Sequence, residues 1–445
     1  MNVRFVLLLA LGLASVVVSA EVPSPCDVLV VGAGPAGLGA ALAAAKSGVK
    51  TVIVERGGEV GGTAVQAGIN RIGLFHAWGR QVVDGPVWTV VTNSVALDSG
   101  RLPDVSKPMG RRHSSHCVAV NPIVYAAVAE EALHAAGVDV RLYSFPVAIR
   151  KGEDAWRVDI ASDAGVSSLE ARQIVDATGN ASVAAMAGAR RIIEDPASRQ
   201  PGSCHGVWNL EGCTCDADAL NEAQSEAIRR GELLPTDVVG KMSDFVRSGG
   251  WANYIPCANN ENAATRAETN RRGRAAMLRV LRFLKGQPGC TSARIVQTAP
   301  EAGVRETYRV VGERTITGED YLSGRIFEDA VCYSYWMIDP HDARRPKAEL
   351  VYLDEGKVAT VPLSALLPLG VENLLVAGRA VSSDHVANSA LRVQASCMAM
   401  GQAAGVAAAL AARRGCDVRK LGILQIHQGL RDLGAVVPVE NKEKR

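Results

Sequence analysis

The sequence predicts an α/β fold with a parallel sheet, and three observations near the N-terminus support this. Residues 27–31 (DVLVV) form a continuous apolar run, as do strands that are buried on both faces of a parallel sheet. Gly32 opens a glycine pattern directly after that run, and Pro35 stands where a helix can begin. A second strand-like run, 50–55 (KTVIVE), closes a strand–helix–strand unit of about 30 residues.

The composition is that of an ordinary globular protein. Its 445 residues, 48% hydrophobic and 21% charged, are enough for two domains or one elaborate domain. A net charge of +2 argues against a nucleic-acid partner. Ten cysteines are present, and the neighbouring Cys204, Cys213 and Cys215 predict a disulfide in that region if the protein is exported. No C-x-x-C spacing supports a bound metal or an iron–sulfur cluster.

The first twenty residues predict a secretory signal peptide. Arg4 precedes an apolar run of 14 residues, and the small residues VSA precede Glu21, so cleavage is expected after Ala20. The apolar run is short for a membrane span, which needs about 20 residues. We therefore expect a secreted or periplasmic protein with no membrane span after cleavage. An uncleaved N-terminal anchor is the alternative.

Further elements follow along the chain. A helix is predicted to begin with Asn121 as its N-cap and Pro122 in its first turn, and to end at Gly137. The strands predicted after it are residues 138–144, 147–151, 155–162 and 169–175.

The second half of the chain predicts an insertion. Residues 196–365 are less regular, contain a basic helix at 266–286, and are predicted to form an inserted α+β substrate or cap domain. A strand at 373–378 and a long helix of small residues at 390–415 then return to the sheet. The first domain is therefore predicted from both ends of the chain, residues 26–195 and 366–445.

The glycine pattern predicts a Rossmann-type dinucleotide site. Gly32 permits a tight turn, Gly34 lets backbone approach a pyrophosphate, and Gly37 lets the helix pack on the strand. Free N–H groups at the helix start would face the phosphates. Glu55 ends the second strand 23 residues after Gly32, where its carboxylate can bind a ribose. The residues between the glycines complete the predicted site: Ala33, Pro35 and Ala36.

A pair of glycines further along the chain distinguishes between NAD and FAD. Gly61 and Gly62 precede Thr63, and paired glycines allow a second stretch of backbone to lie against the cofactor. A simple NAD domain has no need of such a stretch there. The carboxylate of Glu55 also disfavours the extra phosphate of NADP. These residues favour FAD.

The same run of residues resembles a known superfamily. Residues 55–70 (ERGGEVGGTAVQAGIN) resemble the glutathione-reductase-like flavoproteins, in the branch shared by fumarate-reductase-like enzymes. Three further stretches are similar to the FAD-dependent oxidoreductase family related to the flavin domain of heterodisulfide reductase A subunits: 174–189, 303–331 and 373–409. The resemblance covers most of residues 26–415 and weakens between 196 and 300. It implies an FAD-binding fold of glutathione-reductase type and an oxidoreductase.

The resemblance also implies residue roles. The first glycine pattern would bind the pyrophosphate, Glu55 the ribose, and Arg56 would lie at the adenine end. The helix that contains Gly401 and Gly405 would aim its N-terminus at the flavin, where reduced flavin carries negative charge. Asn180 departs from the acid that is common in the family. The other implied cofactor residues are Gly61, Gly62, Thr63, Thr178, Gly179, Gly378 and Arg379.

The sequence lacks a second G-x-G-x-x-G unit and a redox-active cysteine pair, which disfavours a pyridine-nucleotide:disulfide reductase. We therefore predict an FAD-dependent oxidoreductase that acts on a small molecule, with an unidentified electron acceptor or donor. One alternative is a non-catalytic flavin-binding electron-transfer subunit. Another is an NAD-dependent dehydrogenase. The resemblance also suggests an iron–sulfur partner protein, although this chain lacks the ligand spacing.

Catalytic candidates come from two stretches. In VRETYR, strand alternation places Arg305 and Arg309 on one face and Glu306 on the other, so the arginines could orient an anionic group. An ion-pair network that joins the domains is the alternative. His385 lies between a cofactor strand and a cofactor helix, and is predicted to transfer protons or to pack in the core. Arg392 is predicted to contact the flavin or its substrate.

Other polar groups have simpler interpretations beside functional ones. Asp339 and His341 form a further candidate pair. His113 and His116 in RRHSSH could bind a metal or, with His76, attach a flavin covalently, although histidines in a polar loop are usually solvated. Thr317 and Asp320 are expected to form a helix cap, which is a purely structural role. The glycosylation-like sequence at 180–182 is expected to be buried and therefore a chance match.

Overall fold

The protein is described by a computed structural model for residues 24–107, 110, 112–250, 253–344 and 349–438. The predicted signal peptide, residues 1–20, lies outside these described residues. Within them, helices and strands alternate as the sequence predicts, and the α/β fold class is confirmed.

The described residues form seventeen β-strands and twelve α-helices. The strands are β1 (Ser24–Val31), β2 (Thr51–Val54), β3 (Arg71–Ile72), β4 (His76–Ala77), β5 (Arg80–Gln81), β6 (Val118–Ala119), β7 (Asp139–Arg141), β8 (Phe145–Lys151), β9 (Trp156–Ser162), β10 (Gly165–Asp176), β11 (Arg191–Ile192), β12 (Gly206–Asn209), β13 (Arg294–Thr298), β14 (Arg309–Val310), β15 (Ala330–Ser334), β16 (Ala359–Pro362) and β17 (Leu374–Val376). The helices are α1 (Pro35–Lys46), α2 (Thr63–Gln66), α3 (Pro86–Leu97), α4 (Pro122–Ala135), α5 (Ser182–Met186), α6 (Ala217–Arg229), α7 (Met242–Arg247), α8 (Ala263–Lys285), α9 (Gly318–Ser323), α10 (His385–Leu391), α11 (Gln394–Arg414) and α12 (Ile423–Asp432).

The central sheet has the strand order β7-β2-β1-β10-β9-β8, and β17 pairs with β10. Strands β1, β2, β7, β10 and β17 run in the same direction. Strand β9 is antiparallel to both of its neighbours, β10 and β8. The apolar side chains of β1 are fully buried because the parallel part is covered on both faces. The carboxyl ends of β1, β2, β10 and β17 meet at one edge, where ligands bind in open α/β sheets.

Helices α1 and α11 are in direct backbone contact beneath that edge. A Cβ atom on Gly401 would lie 2.0 Å from the carbonyl oxygen of Ala36, and one on Gly405 would lie 2.2 Å from that of Ala40. Both glycines therefore lie in the interior of α11, against α1, and their predicted part in binding the cofactor stays a prediction. Only glycine permits so close an approach of the two backbones.

The predicted helix 390–415 is interrupted. Val393 is extended (φ −68°, ψ 149°), so α10 ends at Leu391 and α11 begins at Gln394. The N-terminus of α11 is therefore Gln394 and Ala395, directly after Arg392. α11 is also long and apolar enough to span a membrane, but 94% of its apolar window is buried in the protein, as in a core helix.

The predicted insertion divides between two hydrophobic cores. Residues between Cys204 and Val304 form their own core around α8, whereas residues 316–367 pack into the core of the sheet domain. A disulfide joins Cys215 to Cys290, whose Cα atoms are 6.1 Å apart. The cysteine cluster therefore contributes one half of a bridge, and its other two members, Cys204 and Cys213, are free thiols.

Local predictions of helix starts agree with the structure. The Asn121 side chain accepts a hydrogen bond from the Ile123 N–H at the start of α4. Thr317 and Asp320 form a capping box at the start of α9. Both caps satisfy N–H groups that the first turn of a helix leaves unpaired.

Candidate functional site

The first glycine loop forms a close turn beneath an open space. Gly32 has φ +97°, and a Cβ atom on Gly37 would lie 1.7 Å from the Gly32 carbonyl oxygen. By contrast, a Cβ atom on Gly34 would meet nothing closer than 3.9 Å. The loop thus leaves room over Gly34, beside the unpaired N–H groups at the start of α1, and this arrangement suits a phosphate.

The second glycine pair packs on the first loop. The Gly61 N–H donates to the Ala33 carbonyl oxygen at 2.9 Å. Gly62 has φ +55°, and a Cβ atom on it would lie 2.6 Å from the Gly34 Cα. Thr63 then begins α2. The two glycine segments therefore make one continuous backbone cradle, which explains why glycines occur at both places.

Glu55 joins this cradle to the end of β2. Its Oε2 accepts from the Ala33 N–H at 2.7 Å and its Oε1 from the Gly57 N–H at 2.8 Å. Arg56 points toward the inserted domain, where Glu301 lies 3.4 Å from its guanidinium and pairs also with Arg266. Contact of Glu55 with a ribose, and of Arg56 with an adenine, stays a prediction.

The end of β10 is tied to the inserted domain through Arg379. Its Nε donates to the Gly179 carbonyl oxygen at 2.8 Å and its Nη2 to Asn180 Oδ1 at 3.1 Å, and its Nη1 donates to the Val304 carbonyl oxygen. Burial lowers the pKa of Arg379 to about 10. Because every guanidinium nitrogen has a protein acceptor, Arg379 fastens three segments together beside the cradle. Its contact with a cofactor stays a prediction.

Hydrogen bonds between buried polar groups hold the residues that follow β10 in place. Asp176 accepts from the N–H and the hydroxyl of Thr178, at 3.0 and 2.7 Å. Asn180 is 2% exposed and accepts from the Thr307 hydroxyl at 2.6 Å, so the sequon is buried as expected. Gly378 has φ +90°, and a Cβ atom there would lie 3.0 Å from that of Ala36.

The predicted placement of Arg309 and Glu306 on opposite faces is wrong. Strand β14 begins only at Arg309, so residues 304–308 do not alternate as a strand. Arg309 is 1% exposed, and its Nη1 lies 2.5 Å from Glu306 Oε1. It also pairs with Glu194 and donates to the Ser383 carbonyl oxygen. Arg309 therefore belongs to the ion-pair network that was the alternative interpretation.

His385 joins the same network. Its Nδ1 lies 2.9 Å from Glu306 Oε1. Glu194, Glu306 and His385 are close enough to bind a metal ion. However, the Arg309 guanidinium already pairs with both carboxylates, and it supplies the positive charge that a cation would supply. The network is thus satisfied internally.

Replacement of His385 should remove stability that depends on pH. The hydrogen bond to Glu306 raises the pKa of His385, so its stabilising charge is fully present below the unfolded pKa of about 6.5 and is lost as pH rises through the folded pKa. We expect His385→Gln to cost about 1 kcal/mol more at about pH 5.5 than at about pH 8.5. Urea unfolding of both proteins at the two pH values measures this difference.

The matched control is His134→Gln, because the His134 side chain is 59% exposed and its carboxylate neighbour is 3.8 Å away. That variant should behave almost alike at both pH values. An equal cost of His385→Gln at the two pH values would show that the imidazole is uncharged in the network.

A second polar cluster lies between the inserted domain and the start of α11. The Tyr254 hydroxyl lies 2.7 Å from His341 Nδ1, and His341 Nε2 lies 3.2 Å from Asp339 Oδ2. The Arg305 guanidinium lies 5.5 Å from the centre of the Tyr254 ring. Arg392 Nη2 donates to the Asp339 carbonyl oxygen at 3.3 Å. We call these five residues the arginine–histidine cluster.

The charges in this cluster are unequal. Burial lowers the pKa of His341 to about 4, so its imidazole is neutral near pH 7. Asp339 stays ionised, because the hydrogen bond to His341 and the two arginines outweigh its burial and lower its pKa to about 2. Burial and the nearby Arg392 lower the pKa of Arg305 to about 10, which leaves it charged. Two positive charges thus face one carboxylate, and an anion would be attracted.

The cluster adjoins the second glycine segment. Gln394, the first residue of α11, donates to the Ile69 carbonyl oxygen at 2.6 Å, and the Ala395 N–H donates to that of Gly73 at 3.2 Å. A Cβ atom on Gly68 would lie 3.2 Å from the His205 Cβ. Burial and Arg305 lower the pKa of His205 to about 4. The segment that follows the glycine cradle therefore contacts the first turn of α11 and His205, next to the cluster.

Several buried polar atoms here have no partner among the described residues: Gln200 Nε2, Arg392 Nε and Gln394 Oε1. Buried polar atoms are normally paired, so this set fits a missing ligand with hydrogen-bonding edges, such as a flavin or its substrate. The cradle over Gly34 fits the pyrophosphate of the same ligand.

Sequence reasoning missed Tyr254 of the arginine–histidine cluster and two residues beside the cluster, Gln200 and His205. Gln200, His205 and Tyr254 lie in the stretch where the resemblance is weak, and no local pattern marks them. Arg305, Asp339, His341 and Arg392 were candidates, but the sequence joined only Asp339 with His341. Their meeting depends on how the insertion folds over α11.

One protein-family model and several solved structures match this chain. The model of the FAD dependent oxidoreductase family matches residues 27–430. No curated protein matches the chain. Among solved structures, the chain is similar to the anhydrotetracycline hydroxylase OxyS from Streptomyces rimosus, at 11% identity and a TM-score of 0.45. That match covers 92% of this chain and 66% of OxyS, so the chain spans about two thirds of its length.

Two other solved structures are also similar. A geranylgeranyl bacteriochlorophyll reductase-like protein from Thermoplasma acidophilum has 14% identity and a TM-score of 0.41, over 92% of this chain and 83% of that one. The p-nitrophenol 4-monooxygenase PnpA from Pseudomonas putida has 14% identity and a TM-score of 0.40, over 91% and 81%. Likenesses this distant assign no activity. The family match does assign the chain: it belongs to the FAD-dependent oxidoreductase family and is an enzyme whose cofactor is FAD.

Proposed function

We propose that the protein catalyses the FAD-dependent oxidation of a small molecule that carries an anionic group, such as a carboxylate. The observation that carries the proposal is the convergence of Arg305 and Arg392 at the start of α11, with unpartnered polar atoms beside them. Arginines bind carboxylates through paired donors, and a positive cluster of this kind draws anions from solution.

The residues of the cluster have distinct roles in this proposal. Arg305 and Arg392 bind and orient the anionic group. FAD supplies the acceptor for the two electrons of the reaction. Tyr254 accepts the proton that the substrate releases while its own hydroxyl proton passes to Nδ1 of neutral His341, whose Nε2 donates to Asp339. Asp339 holds the imidazole in that tautomer.

The proposal is tested with FAD-loaded protein under anaerobic conditions. The protein is mixed with a panel of small carboxylic acids and with their neutral amides, and the loss of oxidised-flavin absorbance is followed. We expect one or more acids to bleach the flavin and their amides to fail. Equal bleaching by the neutral compounds would contradict the role of the arginines.

Hydroxylation, the activity in the names of OxyS and PnpA, is a competing outcome. In that case the acids alone would leave the flavin oxidised, and a nicotinamide reductant together with oxygen would be consumed. Bleaching by a reduced iron–sulfur protein, and by no small molecule, would instead indicate an electron-transfer subunit.

Replacement of Arg305 should weaken the reaction and leave the cofactor in place. We expect Arg305→Met to lower kcat/KM for the acid found in the screen by about a hundredfold, or about 2.7 kcal/mol, since a charged group loses its buried partner. Arg305→Lys should retain part of the activity because it keeps the charge. Steady-state kinetics and the FAD content per protein are measured together.

The control for this variant is Arg271→Met. Arg271 is 67% exposed and, among the described residues, pairs only with Glu268 on the surface of α8, so its loss should leave both quantities unchanged. An unchanged kcat/KM in Arg305→Met would show that Arg305 does not bind the substrate and would contradict the proposed role of the arginine pair.

A further inference from the structure

Two arginines from different parts of the chain share one carboxylate beside the glycine cradle. Arg56 follows β2, and its Nη2 lies 3.4 Å from Glu301 Oε2. Arg266 lies in the first turn of α8, in the inserted domain, and its Nη1 lies 3.6 Å from Glu301 Oε1. We call these three residues the Glu301 group. Their side chains are 27–32% exposed, so a ligand from solvent can reach them.

Backbone contacts hold the Glu301 group against the cradle. The Glu301 N–H donates to the Gln66 carbonyl oxygen at 2.8 Å, at the end of α2, the helix that follows the second glycine pair. The next N–H, that of Ala302, donates to Asn270 Oδ1 at 2.8 Å. Asn270 and Arg266 are four residues apart in α8 and therefore lie on one face of the helix. That face of the inserted domain meets the cradle.

The charges of the cradle act on Arg266. Its pKa is lowered, first by burial and then by the charge of Arg56, while the carboxylates of Glu301 and Glu55 act in the opposite direction. The pKa of Arg379 is likewise lowered by burial and by Arg56, with Glu301 opposing them. Three arginines and two carboxylates therefore lie within electrostatic reach of one another, and the positive charges outnumber the negative ones.

The donors of Arg266 are almost unused in the described part of the chain. Its contact with Glu301 is longer than the about 2.7–2.9 Å of a charge-assisted hydrogen bond, and its Nε has no partner among the described residues. Arg379, in contrast, has an acceptor on every guanidinium nitrogen. The cradle leaves open space at Gly34. This arrangement suits a ligand with several acceptor oxygens and negative charge.

We propose that Arg266 binds the diphosphate of FAD, so that the inserted domain supplies a cofactor-binding residue to the sheet domain. Guanidinium groups match the charge and the acceptor oxygens of phosphates. Glu301 keeps the Arg266 side chain at the cradle, and the diphosphate uses the donors that Glu301 leaves free. FAD thereby helps to hold the inserted domain, which also carries Tyr254 and Arg305. The inference goes beyond the proposed function and does not depend on which substrate is oxidised.

The test uses the full-length protein after release of FAD, with dissociation constants for FAD, ADP and adenosine from calorimetry. ADP carries a diphosphate without the flavin, and adenosine carries neither. We expect Arg266→Gln to weaken the binding of FAD and of ADP by about ten- to a hundredfold, as for the loss of a hydrogen bond to a charged group. Adenosine binding should not change. Arg266→Lys should recover part of the loss because it keeps the charge.

Two control variants separate a phosphate contact from a structural ion pair. Arg271→Gln, on the exposed face of α8, should bind all three ligands as the wild type does. Glu301→Gln breaks the same ion pair but removes a carboxylate that competes with the phosphates, so it should bind ADP at least as tightly as the wild type. Far-ultraviolet circular dichroism verifies that each variant is folded.

Three outcomes would overturn the proposal. The first is unchanged ADP binding in Arg266→Gln. The second is an equal loss of ADP binding in Glu301→Gln, which would show that the ion pair only holds the fold. The third is a loss of adenosine binding as large as that of ADP, which would place Arg266 at the adenine or the ribose. None of these outcomes bears on the oxidation of an acid, which flavin bleaching tests separately.

Discussion

Gly62→Ala is expected to abolish most FAD binding while the protein stays folded. Gly62 has φ +55°, and the added Cβ would lie 2.6 Å from the Gly34 Cα. The atom it meets is backbone, so the strain can be relieved only by moving the two glycine segments apart. That movement would open the cradle, and we expect the dissociation constant for FAD to rise at least about a hundredfold, or about 2.7 kcal/mol.

The measurement is the ratio of flavin to protein absorbance after purification, followed by titration of the released protein with FAD. Gly48→Ala is the matched control, because Gly48 also has a positive φ (+82°) but has no atom within 4 Å of the added Cβ. It carries the same kind of backbone strain, about 1 kcal/mol, without the contact. Full FAD retention in Gly62→Ala would show that the second glycine pair does not shape the site.

Gly401→Ala is expected to destabilise the whole sheet domain. The added Cβ would lie 2.0 Å from the carbonyl oxygen of Ala36 and 2.9 Å from its Cα. Helices α1 and α11 would have to separate along their most extensive contact, and we expect a loss of about 3 kcal/mol or more. The loss should appear although alanine is by itself favoured over glycine in a helix by about 1 kcal/mol.

The measurement is the urea midpoint of unfolding, followed by far-ultraviolet circular dichroism and by release of FAD. The control is Gly286→Ala at the end of α8, where φ is −83° and the nearest atom would be 3.4 Å away. That variant should change the stability by no more than about 0.5 kcal/mol. If Gly401→Ala unfolded at the wild-type midpoint, the close packing of α1 on α11 would be wrong.

Much of the sheet domain could be predicted because its signals are local. Apolar runs predicted β1, β2 and β10, and the helix start at Asn121 followed from a cap residue and a proline within one turn. The glycines of the first loop mark a turn whose geometry few other residues can adopt. In each case the residues that determine the element are neighbours in sequence.

The sequence analysis failed for residues whose environment is set by other segments of the chain. Gly401 and Gly405 were expected only as members of a helix that faces the cofactor, and their close packing against Ala36 and Ala40 of α1 was not predicted. The strand alternation expected for 305–309 failed because buried Glu306 pairs with Arg309 instead of facing away.

The disulfide and the second polar cluster show the same limit. Cys215 pairs with a cysteine 75 residues away, and no spacing rule links the two. Tyr254 and His341 meet through a hydrogen bond between positions 87 residues apart. Pairing over such separations depends on the packing of complete elements, which local pattern does not contain.

The sequence by itself therefore determined the α/β class, the first glycine loop and the preference for FAD, since each depends on backbone conformations and periodicities within a few tens of residues. Only the tertiary structure decided which polar side chains meet in the arginine–histidine cluster. Their charges interact over distances of a few ångströms, and those distances exist only after the inserted region has packed against α11.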